Sequence, residues 1–275
     1  MFNNLKHFSI PNRILTASVV LPLLILIIWA GSQFDILFFT LPAALISGIG
    51  SWEINRIIKE YGVEPKFLIT IPISAAIVIT GQFYSHLSIY YFSVVGLIAL
   101  ALLVFMPNII KISKFHMISK LLFPIFIPAG FIVFAPILMQ SKLGVEKFVF
   151  MFLIVSTFDT FALSVGKLIG KRKLIPSISP NKTWEGLLGG IIASFILATF
   201  LLQYDQFTFV QSITQYYILI ISIVVLGQLG DIAISRIKRM SHLKDTSSIL
   251  PGHGGILDRL DSILFNLLLM HYFLQ

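Results

Sequence analysis

Four aspartates and one glycine-rich turn hold most of the chemistry this chain can do. Asp258 and Asp261 stand three residues apart at the head of an apolar segment, directly after Pro251-Gly252-His253-Gly254-Gly255. With a helix starting near Leu257, both carboxylates project from one face of its first turn. Asp231, in VLGQLGDIAISR, and Asp159, in VSTFDTFALSVG, belong to two other apolar segments. A carboxylate at mid-membrane costs about 2.5–3.5 kcal/mol and less toward the interface, so an acid there points to function by default. An ion pair that fixes helix packing would also explain Asp159 or Asp231, and a dipole partner or cap would explain one acid at a helix start. Two acids on one face, joined by two more from separate helices, fit a hard divalent cation such as Mg²⁺ better. Such a cation takes carboxylate oxygens, keeps several waters and leaves room for phosphate groups.

The surrounding residues suit anionic ligands. Gly252, Gly254 and Gly255 permit close approach of a backbone or a phosphate, and the turn ends at a helix start, where free N–H groups favour anions. His253 in such a turn is more often a structural hydrogen-bonder than a catalyst. Ser235 follows Asp231 by one helical turn and shares its face. In SISPNKTWEG, Lys182 and Thr183 precede another apolar run; they read either as phosphate contacts or as an inside marker followed by a capping box from Thr183 to Gly186. No GxxxxGK[ST] element occurs, which excludes a P-loop protein.

These residues need long apolar helices to position them. Of 275 residues, 57% are hydrophobic and 12% charged, with mean hydropathy +0.93, a composition of membrane-spanning chains rather than soluble domains. There is no cysteine, so disulfides and thiolate metal sites are excluded. The hydropathy predicts an all-α polytopic protein with about nine transmembrane helices, near 14–30, 34–50, 67–82, 88–106, 121–139, 148–165, 186–203, 214–233 and 260–275. The first is read as a retained helix rather than a cleaved signal, because WAGSQFD makes a poor cleavage site. With a cytoplasmic N-terminus, 18 of the 20 Lys and Arg residues fall on the inner side, leaving only Lys142 and Lys147 outside. This places loops 166–186 and 235–259 on the same face. The net charge of +8 is thus a statement about orientation and anionic partners, not nucleic acid. Residues 1–150 are expected to form N-terminal membrane helices for lipid access and dimerisation, and 151–275 a catalytic region.

Together the polar blocks resemble the phosphatidate cytidylyltransferase family, also called CDP-diglyceride synthetases. Its signature, S-x-x-K-R-x4-K-D-x4-[LI]-P-G-H-G-G-x-x-D-R-x-D, is met by Ser235-Arg236-Ile237-Lys238-Arg239, Lys244-Asp245, Pro251 to Gly255, and Asp258-Arg259-Leu260-Asp261. GKLIGKRKLIPSISPNKTWEG is similar to a second family block, and Gly230-Asp231 to the start of a third. The resemblance spans roughly 155–265. It departs at Ile234, where the family usually has Glu, and at Leu163, where it often has Tyr.

The resemblance implies transfer of CMP from CTP to phosphatidic acid, giving CDP-diacylglycerol and pyrophosphate, with Mg²⁺ alone or beside a second cation. It implies Asp231, Asp258, Asp261 and Asp159 as metal ligands. Lys238, Arg239 and Arg259 would hold phosphates, Ser235 would bond substrate or a metal-bound water, and His253 with its glycines would close over the nucleotide. Lys167, Ser179, Lys182, Thr183, Lys244 and Asp245 would line the substrates. It also implies a homodimer in a bacterial inner membrane with its active site at the cytoplasmic face. Three rivals compete. A CDP-alcohol phosphotransferase needs D-G-x-x-A-R…G…D…D, which is missing. A CTP-dependent polyprenol kinase lacks a reason for the complete PGHGG…DRxD block. A cation transporter tends to place its acids near the midplane on broken helices, whereas here they gather with basic loops.

Overall fold

The computed structural model describes residues 10–60, 62, 64–81, 83, 86–105, 113–207, 209–210, 212–251 and 254–273. Their helices are α1 (Ile10–Gln33), α2 (Leu37–Lys59), α3 (Phe67–Gly81), α4 (His86–Phe105), α5 (Ser113–Ile132), α6 (Phe134–Gln140), α7 (Gly144–Ile169), α8 (Trp184–Leu201), α9 (Ile213–Met240) and α10 (Leu257–Phe273). Among the described residues, each range expected from hydropathy falls largely on helix. The expected segment 121–139 is divided at Val133 between α5 and α6, and Pro136 sits in the first turn of α6, where a missing N–H costs little. Five stretches are long and apolar enough to cross a membrane: Leu37–Lys59, Lys120–Gln140, Gly144–Ile169, Trp184–Leu201 and Ile213–Arg239. With this composition they make the chain a polytopic membrane protein. At 15 residues, α3 is about 22 Å long, short of the roughly 30 Å hydrocarbon core.

The all-α expectation needs one correction. Loop 166–186 carries a two-stranded antiparallel sheet, β1 (Lys173–Ile175) and β2 (Ser179–Thr183), paired Lys173 to Thr183 and Ile175 to Ser179. Pro176 and Pro180 bar a helix here, and the polar strands hydrogen-bond to each other between α7 and α8. The expected division at residue 150 falls inside α7.

Helices α7 and α8 pack along their length, as do α2 and α3, and α4 and α5; α10 is set among α5, α6, α7 and α9. The core is aliphatic and aromatic, with Phe131 against Phe265 at 4.8 Å between ring centres and Phe134 against His271 at 5.0 Å. Buried polar groups act as cross-links. Tyr216 on α9 donates its hydroxyl to the Ala198 carbonyl of α8 at 2.9 Å, and Asn266 on α10 donates to the Ile223 carbonyl of α9 at 3.1 Å. Leu45, Ile192, Ile196 and Ile221 face outward and are exposed, as lipid contact requires. Where α9 meets α10 there is no room beyond glycine at 230: a methyl group there would overlap the Asp261 carbonyl oxygen and press on Phe265. Gly230→Ala is therefore expected to cost about 1–3 kcal/mol by overpacking, visible as a lower Tm of the detergent-solubilised protein.

Candidate active site

The last turns of α9 carry Asp231, Ser235, Lys238 and Arg239, spaced so that the first three follow one side of the helix. The site they organise has two parts, centred on Asp231 and Lys238, about 10 Å apart along the axis.

At the first part, Lys182 from β2 reaches across to Asp231. Its Nζ lies 2.5 Å from Oδ2 and donates to Gln228 Oε1 at 3.0 Å, while Ser235 Oγ donates to Asp231 Oδ1 at 3.0 Å. Both members of the ion pair keep about a quarter or less of their side-chain surface exposed. Asp261 on α10 is buried, with Oδ1 accepting from the Ser262 backbone N–H at 2.8 Å. Asp159 on α7 lies on a more open face. Asp159, Asp231 and Asp261 thus come from three helices and act on one another electrostatically, with Lys182 and Arg259 within reach of Asp159 and Lys238 within reach of Asp261. Among the described residues no three His, Asp or Glu side chains stand ready to ligate a metal. The donor set still suits one by its chemistry: hard carboxylate oxygens, repelling one another, with an ammonium already drawn to Asp231.

At the second part, Lys238 and Asp258 form an ion pair of 2.6 Å in which both side chains are at least nine-tenths buried. The other Asp258 oxygen accepts from the Thr246 N–H at 2.8 Å, the Gly255 N–H at 2.9 Å and the Thr246 hydroxyl at 3.1 Å. Asp258 and Asp261 therefore do not face one site as their spacing suggested. Asp258 turns to the loop and Lys238; Asp261 turns to Ser262 and α9. Gly254 has φ +83°, and a Cβ on Gly255 would overlap Thr246 Oγ1 and Glu53 Oε1, so the loop closes this tightly only with glycine. Gly252 and His253 lie outside the described residues.

The remaining candidates sit around these parts. Arg239 donates from Nε to the Ile178 carbonyl and from Nη1 to the Leu243 carbonyl, each at 3.2 Å, which joins loop 235–259 to the β1–β2 hairpin. Thr183 is the N-cap of α8, its hydroxyl accepting from the Gly186 N–H at 3.1 Å, so the capping reading describes it. Ser179 starts β2 opposite Ile175. Lys167, Lys244, Asp245 and Arg259 are exposed at the borders of the site. Ile234 is fully in the apolar core, and Leu163 is exposed.

A model of the cytidylyltransferase family matches residues 11–275. The chain belongs to that family. It is also 30% identical over 273 residues to a phosphatidate cytidylyltransferase of Haemophilus influenzae, covering 91% of this chain and 93% of the relative. The protein of the same name from Bacillus subtilis is 41% identical over 152 residues, about half of each chain, and that of Staphylococcus saprophyticus 46% over 133 residues, again about half of each.

Beyond what the signature of this cytidylyltransferase suggested, the structure adds Glu53. It is wholly buried in α2 and accepts from Thr246 Oγ1, Ser247 Oγ and the backbone N–H groups of Ile256 and Leu257 at 2.5–2.9 Å. Residues 1–150, expected to form membrane helices for lipid access and dimerisation, thus also supply a buried carboxylate that bonds to residues 246–257 at their described ends. The available signal was one acid inside SGIGSWEINRII, a run otherwise free of carboxylates.

Breaking the Lys238–Asp258 pair from one side leaves a buried charge unmatched. Lys238→Met is expected to destabilise the fold by about 3–5 kcal/mol, checked by thermal unfolding, and the double variant Lys238→Met/Asp258→Leu should recover part of that loss.

Proposed function

We propose that this chain transfers CMP from CTP to phosphatidic acid, releasing pyrophosphate and forming CDP-diacylglycerol. The observation that carries the reading is the meeting of carboxylates from α7, α9 and α10 with Lys182 and Lys238 at one end of the helix bundle, in a chain whose relatives carry this activity in their names.

In this reaction a phosphatidate oxygen attacks the α-phosphorus of CTP, and the bond from that phosphorus to the bridging oxygen breaks as pyrophosphate leaves. The reacting groups are both anionic, so neutralisation and in-line placement are the main tasks. Asp231 and Asp261, with Asp159 beside them, would hold Mg²⁺, which when bound supplies positive charge against the phosphate oxygens. Lys182 swings between Asp231 and a phosphate group; Arg259 and Lys167, exposed at the border, offer further phosphate contacts. Ser235 keeps Asp231 oriented. Asp258, saturated by Lys238, Thr246 and Gly255, shapes the loop and fixes the Lys238 ammonium rather than ligating a metal in this arrangement. The phosphatidate monoester is ionised near neutral pH, so no strong general base is required.

The membrane arrangement follows the charges. With the N-terminus in the cytosol and all nine apolar segments crossing, the short α3 across a locally thinner bilayer, both basic loops lie on the inner face, where CTP is available. The contact of Arg239 with Ile178 and that of Lys182 with Asp231 support their lying on one side. Lipid tails then enter between helices while the headgroup stays at the interface.

Purified protein in detergent–lipid micelles, given labelled CTP, phosphatidate and Mg²⁺, is expected to yield lipid-soluble cytidine label and to stop on chelation of the metal. Asp231→Asn should lower turnover on the order of 10²-fold or more, the scale of losing one electrostatic partner of the transition state, with insertion and Tm retained. Label found in a phosphorylated prenol would favour the kinase instead, and no incorporation would favour transport.

A further inference from the structure

We propose that Glu53 is a positioning residue for this reaction: from inside α2 it holds residues 246–247 and 255–257 in the arrangement that presents Gly254 and Gly255 to the nucleotide, with Asp258 as the anchor beside them. The inference rests on the cytidylyl transfer proposed above and adds to it a residue from the opposite half of the chain.

Each oxygen of Glu53 accepts two hydrogen bonds. Oε1 takes the Ser247 hydroxyl and the Ile256 N–H, at 2.5 and 2.9 Å; Oε2 takes the Thr246 hydroxyl and the Leu257 N–H, at 2.9 and 2.8 Å. These donors come from both ends of the loop, so one carboxylate draws the ends together. Two of them are the N–H groups of Ile256, just before α10, and of Leu257, its first residue, at a helix start that favours negative charge. Among the described residues no Lys, Arg or His lies within ion-pair distance of Glu53. Its charge is met by loop donors and a helix end, which is the pattern of a receptor for a particular loop shape. Arg56, one helical turn along α2, donates to the Thr246 carbonyl at 3.5 Å and adds a second tie.

The Thr246 hydroxyl lies within hydrogen-bond distance of both Glu53 Oε2 and Asp258 Oδ2. It links the clamp to Asp258 and through it to Lys238. Moving Glu53 therefore moves Asp258 and the backbone of Gly255. A mere packing role predicts lost stability alone; a positioning role predicts that CTP use falls out of proportion to stability.

The test uses the full chain in detergent–lipid micelles and compares Glu53→Gln with Ser47→Ala, which removes a buried hydroxyl contact between α2 and α3 away from the site. Glu53→Gln is expected to lower kcat/KM for CTP at least about tenfold, the scale seen for supporting residues around a reactive centre. KM for phosphatidate should stay near that of the unaltered chain, and the Ile256 and Leu257 amides should exchange hydrogen faster. Ser47→Ala should lower Tm and leave the kinetics unchanged. Unaltered CTP kinetics in Glu53→Gln, or an equal loss in Ser47→Ala at matched Tm, would overturn the proposal. Where Glu53→Gln fails to insert, Ser247→Ala and Thr246→Val must each show the CTP-selective loss, and normal values in both overturn it as well. An unaltered chain that forms no CDP-lipid would refute the functional reading instead, and amide exchange would still decide whether Glu53 holds the loop.

Discussion

A carboxylate withdrawn from water among apolar helices survives only if each oxygen finds a donor or a cation. That requirement shapes the functional end of this molecule. Glu53 and Asp258 are both deep within the protein, and both meet it with groups from residues 246–257. Thr246, Ser247, Gly255, Ile256 and Leu257 have little freedom left once these bonds form. Gly254 and Gly255 then follow as a steric consequence: a Cβ on Gly255 would overlap the Glu53 carboxylate and the Thr246 hydroxyl, and one on Gly254 would press on the Asp258 carboxylate.

The same requirement divides the acids by role. Asp258 is saturated by protein donors and a buried lysine, so it serves as a structural anchor for the loop and for Lys238. Asp231, Asp261 and Asp159 have fewer partners and one another's repulsion to offset, which leaves them suited to a cation and to phosphate chemistry. Lys182 neutralises Asp231 in this arrangement. The pairing also ties the β1–β2 hairpin to α9, so the loop that carries Lys182 is positioned by the acid it serves. Buried ion pairs seldom add much net stability; here they set where charged groups stand.

Much of this was readable residue by residue. Apolar runs of membrane-crossing length marked the helices, because every backbone group in lipid must be satisfied internally. The polar loop 166–186 marked the break between α7 and α8, although its hairpin was not anticipated: short polar strands carry too few residues for a period-two signal. Thr183 was legible as a cap from its spacing to Gly186. The pairing of Asp258 with Asp261 misled. Residues three apart on a helix are rotated by about 60° from each other, and that angle gave Asp258 to Lys238, Thr246 and Gly255 while Asp261 accepts from the Ser262 N–H. Glu53 was hidden for a different reason. Its partners lie about 200 positions further along the chain, and no local pattern distinguishes an acid that ends a membrane segment from one that enters a site.

By itself, the sequence determined the helical membrane-embedded class, the clustering of basic residues in loops 166–186 and 235–259, and the family to which its acids, lysines and glycines belong. Those properties depend on composition and on short spacings, which a linear chain displays directly. Only the tertiary structure decided which acid meets which cation, because that depends on helix rotation and on contacts between distant segments. It thereby separated the carboxylate that anchors residues 246 and 255 from those left with fewer partners, and brought Glu53 of α2 against the start of α10.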